Sequence, residues 1–123
     1  MEDTIVLFET AKLANEKGFN NWCKEAYFAN KFLGKASDIP VGTIIKDTFF
    51  APTQSLLQKW LLKKQKLYVE INCNTHNGID EMWWNYTIYN LNNGEIFAIS
   101  DKFDTDEIAL ETGLQEALKL IKE

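Results

Sequence analysis

The chain has 123 residues, 46% of them hydrophobic, which excludes a wholly disordered polypeptide and suits one ordinary domain. Surface scaling sets roughly 6,800 Å² of folded surface against about 20,600 Å² for the extended chain, so a core can form without a metal or disulfide staple. The net charge is −5 and every basic residue is lysine. The missing arginines remove the bidentate fork for phosphate and guanine, so nucleic acid and anionic membranes are disfavoured partners.

Apolar spacing at Ile5, Phe8, Ala11 and Ala14 predicts a first helix over 4–17, capped by Thr4, widened by Leu7 and Leu13, and ended by a left-handed Gly18. Trp22, Cys23, Ala26, Tyr27, Ala29 and Phe32 predict a second helix over 20–33, with Gly34 as its terminator. Pro40 and Pro52 push Ile39 and Ala51 out of helical conformation, and Val41–Ile45 reads as a short strand. Pro52 suits the first turn of a helix over 53–64, where Leu56, Leu57, Trp60 and Leu61 form the apolar face and Lys59, Lys63 and Lys64 the solvated one.

The period then changes from helical to alternating. Val69, Ile71 and Cys73 share one face of a strand, opposite Tyr68, Glu70 and Asn72. Asn77-Gly78 marks the next turn, and over 82–90 the set Met82, Trp84, Tyr86 and Ile88 opposes Trp83, Asn85, Thr87 and Tyr89. Asn92-Asn93-Gly94 reverses the chain into a strand over 95–100, which makes an antiparallel meander. A final helix over 105–122 takes Asp104 as N-cap, Glu107 as its reciprocal partner and Phe103 with Ile108 as a hydrophobic staple. Its apolar stripe is Leu110, Leu114, Ala117, Leu118 and Ile121, while Glu107, Glu111 and Glu116 are expected in solvent. The expectation is therefore a single α+β domain over 1–123, with a small antiparallel sheet of at least three strands packed by about four helices.

The chemistry-bearing residues are sparse. His76, the only histidine, falls in an expected loop near Asp80 and Glu81, and Cys73 would have to leave its strand phase to serve it as a nucleophile. Both Cys23 and Cys73 are expected to be structural. Asp101, Asp104, Asp106 and Glu107 are explained by helix capping, and neither zinc nor calcium spacing nor a glycine-rich phosphate loop occurs. No catalytic, cofactor-binding or metal-binding residue is assigned, and the Asn85-Tyr86-Thr87 glycosylation triplet reads as part of a strand. No apolar run approaches a membrane span. Without a basic leader at Glu2 and Asp3, the expected location is cytoplasmic.

Charge is uneven, at −1 over 1–45, +4 over 46–66 and −8 over 67–123. Two surfaces follow. Trp83 and Tyr89 lie on the strand face opposite Trp84 and Tyr86, and are candidate contacts to a protein partner or a second copy. Lys59, Lys63 and Lys64, with Gln54, Ser55 and Gln58, are candidate nucleic-acid contacts, since a helix followed by strands has the element order of part of a winged helix. The first expectation is a non-enzymatic protein-interaction or assembly factor; the alternative is a nucleic-acid-binding regulator using the 46–66 segment.

Ala51-Pro52-Thr53-Gln54-Ser55-Leu56-Leu57-Gln58-Lys59-Trp60-Leu61, Phe103-Asp104-Thr105 and the segment Glu111 to Ile121 together resemble small uncharacterised proteins encoded in Bacteroides-like bacteria and their phages or prophages. The resemblance covers most of 4–122. It implies a mobile-element setting and carries no catalytic residues with it.

Overall fold

A computed structural model describes residues 4–19, 23–28, 33–35, 48–76 and 81–121, without the side chains of His76 and Glu81. The described elements are helix α1 (Phe8–Glu16), strands β1 (Glu25–Tyr27), β2 (Leu33–Lys35) and β3 (Phe49–Phe50), helix α2 (Gln54–Trp60), strands β4 (Leu67–His76), β5 (Glu81–Asn90) and β6 (Glu95–Ile99), and helix α3 (Asp106–Lys119). The fold is α+β, with two antiparallel three-stranded sheets in the orders β2-β1-β3 and β4-β5-β6. Three helices are described rather than four. The Val41–Ile45 strand and the Asn77-Gly78 turn expected from sequence lie outside the described residues.

The alternating segments form the larger sheet almost where their period placed them. Leu67 through His76 pairs with Asn90 back through Glu81, and Gly94 closes the next turn at φ +76°, donating to the Asn90 carbonyl at 2.7 Å. The buried face of this sheet, Val69, Tyr86 and Ile88, meets α3. Gly113 permits that approach: a Cβ there would stand 2.8 Å from Val69 Cγ1 and 3.0 Å from Tyr86 Cγ. Leu114, Ala117 and Leu118 complete the α3 side, and each fully buried leucine or isoleucine contributes about 1.5–3 kcal/mol.

Helix α1 packs on α3 and on β3. Its C-terminus is a double reversal, in which Phe19 N–H donates to Ala14 O at 2.9 Å and Gly18 N–H to Asn15 O at 3.3 Å, with Gly18 at φ +105° as its glycine predicts. Phe19 is thereby driven into the core, edge-on to Trp60 at 5.5 Å. Its start departs from expectation. Thr4 does not cap the helix: its carbonyl accepts from Gln54 N at 2.7 Å, Val6 N donates to Pro52 O at 3.0 Å, and Leu7 stands at the N-cap position, exposed. Pairing with the 52–54 segment holds residues 4–7 extended, so the helix begins at Phe8.

The predicted helix over 20–33 is overturned where it is described, at 23–28 and 33, while Trp22, Ala29 and Phe32 lie outside the described residues. Ala26 pairs with Gly34 on one side and Phe50 on the other, and is fully buried. Gly34 is a strand residue rather than a helix terminator, and the Phe28 ring lies only 2.5 Å from where its Cβ would be. Aromatic residues at helical spacing also suit a pleated surface, and here the partners decided.

Two helix starts shift by one residue. Thr53, not Pro52, opens α2, its hydroxyl accepting from Leu56 N at 3.2 Å. After Trp60 the helix continues as a π-helical turn over Leu61–Gln65 and stops at Lys66, which adopts φ +58°. For α3 the cap is Thr105 rather than Asp104, with Oγ1 accepting from Ile108 N at 3.1 Å. The expected staple is absent, because Phe103 exchanges both backbone bonds with Trp84 and stacks on Tyr86 at 6.0 Å, leaving Ile108 exposed.

Candidate interaction surface

Pairing fixes which side chains share each face of the β4-β5-β6 sheet. The rungs Tyr68↔Tyr89, Glu70↔Thr87, Asn72↔Asn85 and Asn74↔Trp83 set those eight residues on the face away from α3, and Ile99, opposite Thr87, joins them. No described helix packs on that face. Its side chains instead contact one another. The tyrosine rings stack at 6.3 Å, Tyr89 OH donates to Glu70 Oε1 at 3.3 Å, and Asn74 Nδ2 donates to Asn85 Oδ1 at 2.7 Å. Thr87, small and shielded by its neighbours, is buried and accepts from Asn72 Nδ2 at 3.3 Å. Lys102 Nζ sits 4.3 Å from the centre of the Trp83 ring, a cation–π contact worth about 0.5–1 kcal/mol at an exposed site. The Tyr89 phenol is held above its ordinary range by desolvation first and then by the Glu70 carboxylate.

The structure thus places Trp83 and Tyr89 six positions apart on β5, half-buried on one face that no described helix covers, with aromatic groups at both ends and amides between them. Strand β6 extends the surface with Ile96, Phe97 and Ile99, all exposed. Sequence alternation identified the Trp83 and Tyr89 face, but not the contribution of β6.

The other sequence-predicted residues are scattered. Lys59, Lys63 and Lys64 are exposed along α2 and its π-helical extension. Gln54 and Gln58, grouped with them from sequence, are committed elsewhere: Gln54 is buried against Glu107 O and Glu111, and Gln58 Nε2 donates to the Val69 carbonyl at 2.5 Å. Both amides also border an open cleft of about 380 Å³ with Trp84, Asp106 and Glu107, which Tyr68 and Ile71 of β4 and Leu110 of α3 also line. His76 is a strand residue paired with Glu81 rather than a loop residue, and Asp80 lies outside the described residues.

Cys23 is buried, and desolvation followed by the Glu25 charge pushes its thiol up to about 11. Cys73 keeps the Val69 and Ile71 phase but is exposed rather than in the core, and Met82 on the same expected face is exposed as well. Among the described residues, no group of three or more histidine, cysteine or acidic side chains could hold a metal ion. No described helix is long and apolar enough to cross a membrane.

Sequence reasoning missed Glu111. Expected in solvent, it is buried between helices and accepts hydrogen bonds from Leu7 N at 3.0 Å, from the Thr10 hydroxyl and from Gln54 Nε2 at 3.0 Å. Gln115 Nε2 extends the network to Thr10 Oγ1 at 2.8 Å. A carboxylate from α3 thus takes the place of the side-chain cap that Leu7 lacks, at the positive end of the α1 dipole. Tyr27, whose hydroxyl donates to Val6 O at 2.8 Å, is raised by burial and then by the Glu111 charge. The signal was present, since Glu111 precedes Leu114 and Leu118 by three and seven residues on the buried stripe.

Compared with family models, curated proteins and solved structures, the chain has no significant match.

Proposed function

We propose that this protein is a non-enzymatic intracellular interaction or assembly factor that docks a protein partner on the face of the β4-β5-β6 sheet turned away from α3. One observation carries the reading: Tyr68, Trp83 and Tyr89 share a face that no described helix covers, and exposed apolar residues of β6 border it. Rigid aromatic rings beside amides and a charged margin suit a protein interface, where large contact area comes at little cost in side-chain entropy. The segment resemblance to small proteins of Bacteroides-like bacteria and their phages supports a mobile-element setting.

The test combines light-scattering mass measurement with capture of binding proteins by the wild-type chain, by Trp83→Ser/Tyr89→Ser and by a chain with Lys59, Lys63 and Lys64 changed to glutamine. A partner or oligomer lost with the aromatic pair and retained by the lysine variant supports the proposal. A monomer with no reproducible partner across salt conditions overturns it. Salt-dependent binding to DNA or RNA, lost in the lysine variant, replaces it with the nucleic-acid reading.

A further inference from the structure

The two edges of the β4-β5-β6 sheet are finished differently. On β4, Gln58 of α2 occupies the Val69 carbonyl that an added strand would use. On β6, no described strand pairs with the outer edge. Its five residues include neither lysine nor proline to discourage pairing, and Ile96, Phe97 and Ile99 are 52%, 49% and 64% exposed.

The ladder identifies the open rung. Ser100 N–H donates to Tyr86 O at 2.9 Å and Ala98 stands opposite Ile88, so alternation turns the N–H and C=O of Ile99 away from β5. An irregularity between Ile88 and Tyr89 takes Phe97 out of register, which centres the usable edge on Ile99. Charge then selects the occupant. Glu95 and Asp101 flank this rung, Asp104 follows, and the nearby Lys102 is drawn over Trp83. An antiparallel second copy paired about Ile99 would place Glu95 of one chain opposite Phe103 of the other, between Asp101 and Asp104, which brings like charges close, whereas a basic strand is complementary.

We infer that β6 receives an extended segment of the partner protein, flanked by lysine or arginine, which adds to the sheet through the backbone of Ile99. This rests on the reading of the adjoining face as a docking surface, and assigns the partner both a conformation and a charge.

The probe is a synthetic peptide of alternating valine and threonine with lysines at both ends and in the middle, compared with the same peptide carrying glutamates. On the full chain followed by amide exchange, the lysine peptide is expected to slow exchange at Ile99 by about tenfold or more, and the glutamate peptide to leave it unchanged. Ile99→Pro removes the outward donor without taking a bond from β5 and is expected to weaken binding about tenfold, while Ile99→Thr, which keeps the donor, stays within about threefold of wild type. Unchanged Ile99 exchange, equal binding of the two peptides, binding of neither, or full binding by Ile99→Pro each overturns the inference. Should the lysine peptide perturb only Trp83 and Tyr89, the face reading stands and the edge inference falls. A captured partner lost with Ile99→Pro but kept by Trp83→Ser/Tyr89→Ser gives the reverse. A dimer dissociated by Ile99→Pro replaces the basic segment with a second copy.

Discussion

The two faces of the β4-β5-β6 sheet carry aromatic residues from the same strand into opposite surroundings. Towards α3, Tyr86 and Ile88 are buried and packed closely enough that only a glycine fits at 113. Away from it, Trp83 and Tyr89 make ring, lysine and carboxylate contacts at the surface. The difference teaches that alternation sorts side chains into two sets, whereas the helix covering one set decides which is buried in the core and which stays half-exposed.

The comparison breaks most visibly if the buried set proves dispensable. Ile88→Ala is expected to cost about 2–5 kcal/mol in chemical denaturation, whereas Trp83→Ala on the other face should cost about 1 kcal/mol or less. An equal loss from both would show that the outer face is also part of the folding core. The far side of α3 should behave like the buried face: Glu111→Ala strands the Leu7 amide, the Thr10 hydroxyl proton and one N–H of Gln54, whose amide keeps its bond to Glu107 O, for an expected loss of about 2–3 kcal/mol. Glu111→Gln, which keeps an acceptor, should lose less in the same melt.

Gly113→Ala sharpens the packing argument, because helix propensity alone favours alanine by about 1 kcal/mol. With Val69 and Tyr86 inside the contact limit, overpacking should outweigh that gain and leave a net destabilisation of about 1 kcal/mol, measured as a lower Tm. A gain in stability would mean that α3 can shift away from the sheet.

Cysteine chemistry reports cover without deleting a large side chain. A water-soluble disulfide reagent should modify Cys73 rapidly and Cys23 only after unfolding, as followed by mass spectrometry. Since the Cys23 thiol is raised from 9.0 to about 11 in the fold, the folded chain keeps a proton there that the unfolded chain loses. This contribution to stability is present below pH 9 and disappears as pH rises through about 11, and Cys23→Ser should flatten that part of the stability profile.

The smallest effect belongs to the outer hydrogen bond. Tyr89→Phe removes the 3.3 Å contact to Glu70 and should change stability by less than about 0.5 kcal/mol. A larger loss would show that this contact, rather than the buried face, helps to set the register.

Much of the larger sheet and of α3 was legible in the sequence, since both have long periodic runs whose neighbours are adjacent in the chain. The Trp83 and Tyr89 face followed from the same period of two. The smaller sheet was not legible. Strands of two and three residues carry too little pattern to oppose a helical reading, and Ala26 becomes a strand residue only when Gly34 and Phe50 flank it.

By itself, then, the sequence determined the properties encoded within a few residues: alternation over 67–99, the left-handed Gly18 and Gly94, and the apolar stripe of α3. Tertiary structure decided what depends on residues far apart in the chain: the burial of Glu111 beneath α1, the strand state of 25–27, the displaced starts of α1 and α3, and the contrast between a β4 edge met by Gln58 and a β6 edge that no described strand pairs. Local propensities differ by about 1 kcal/mol or less per residue, so one buried side chain or one satisfied buried polar group is enough to override them.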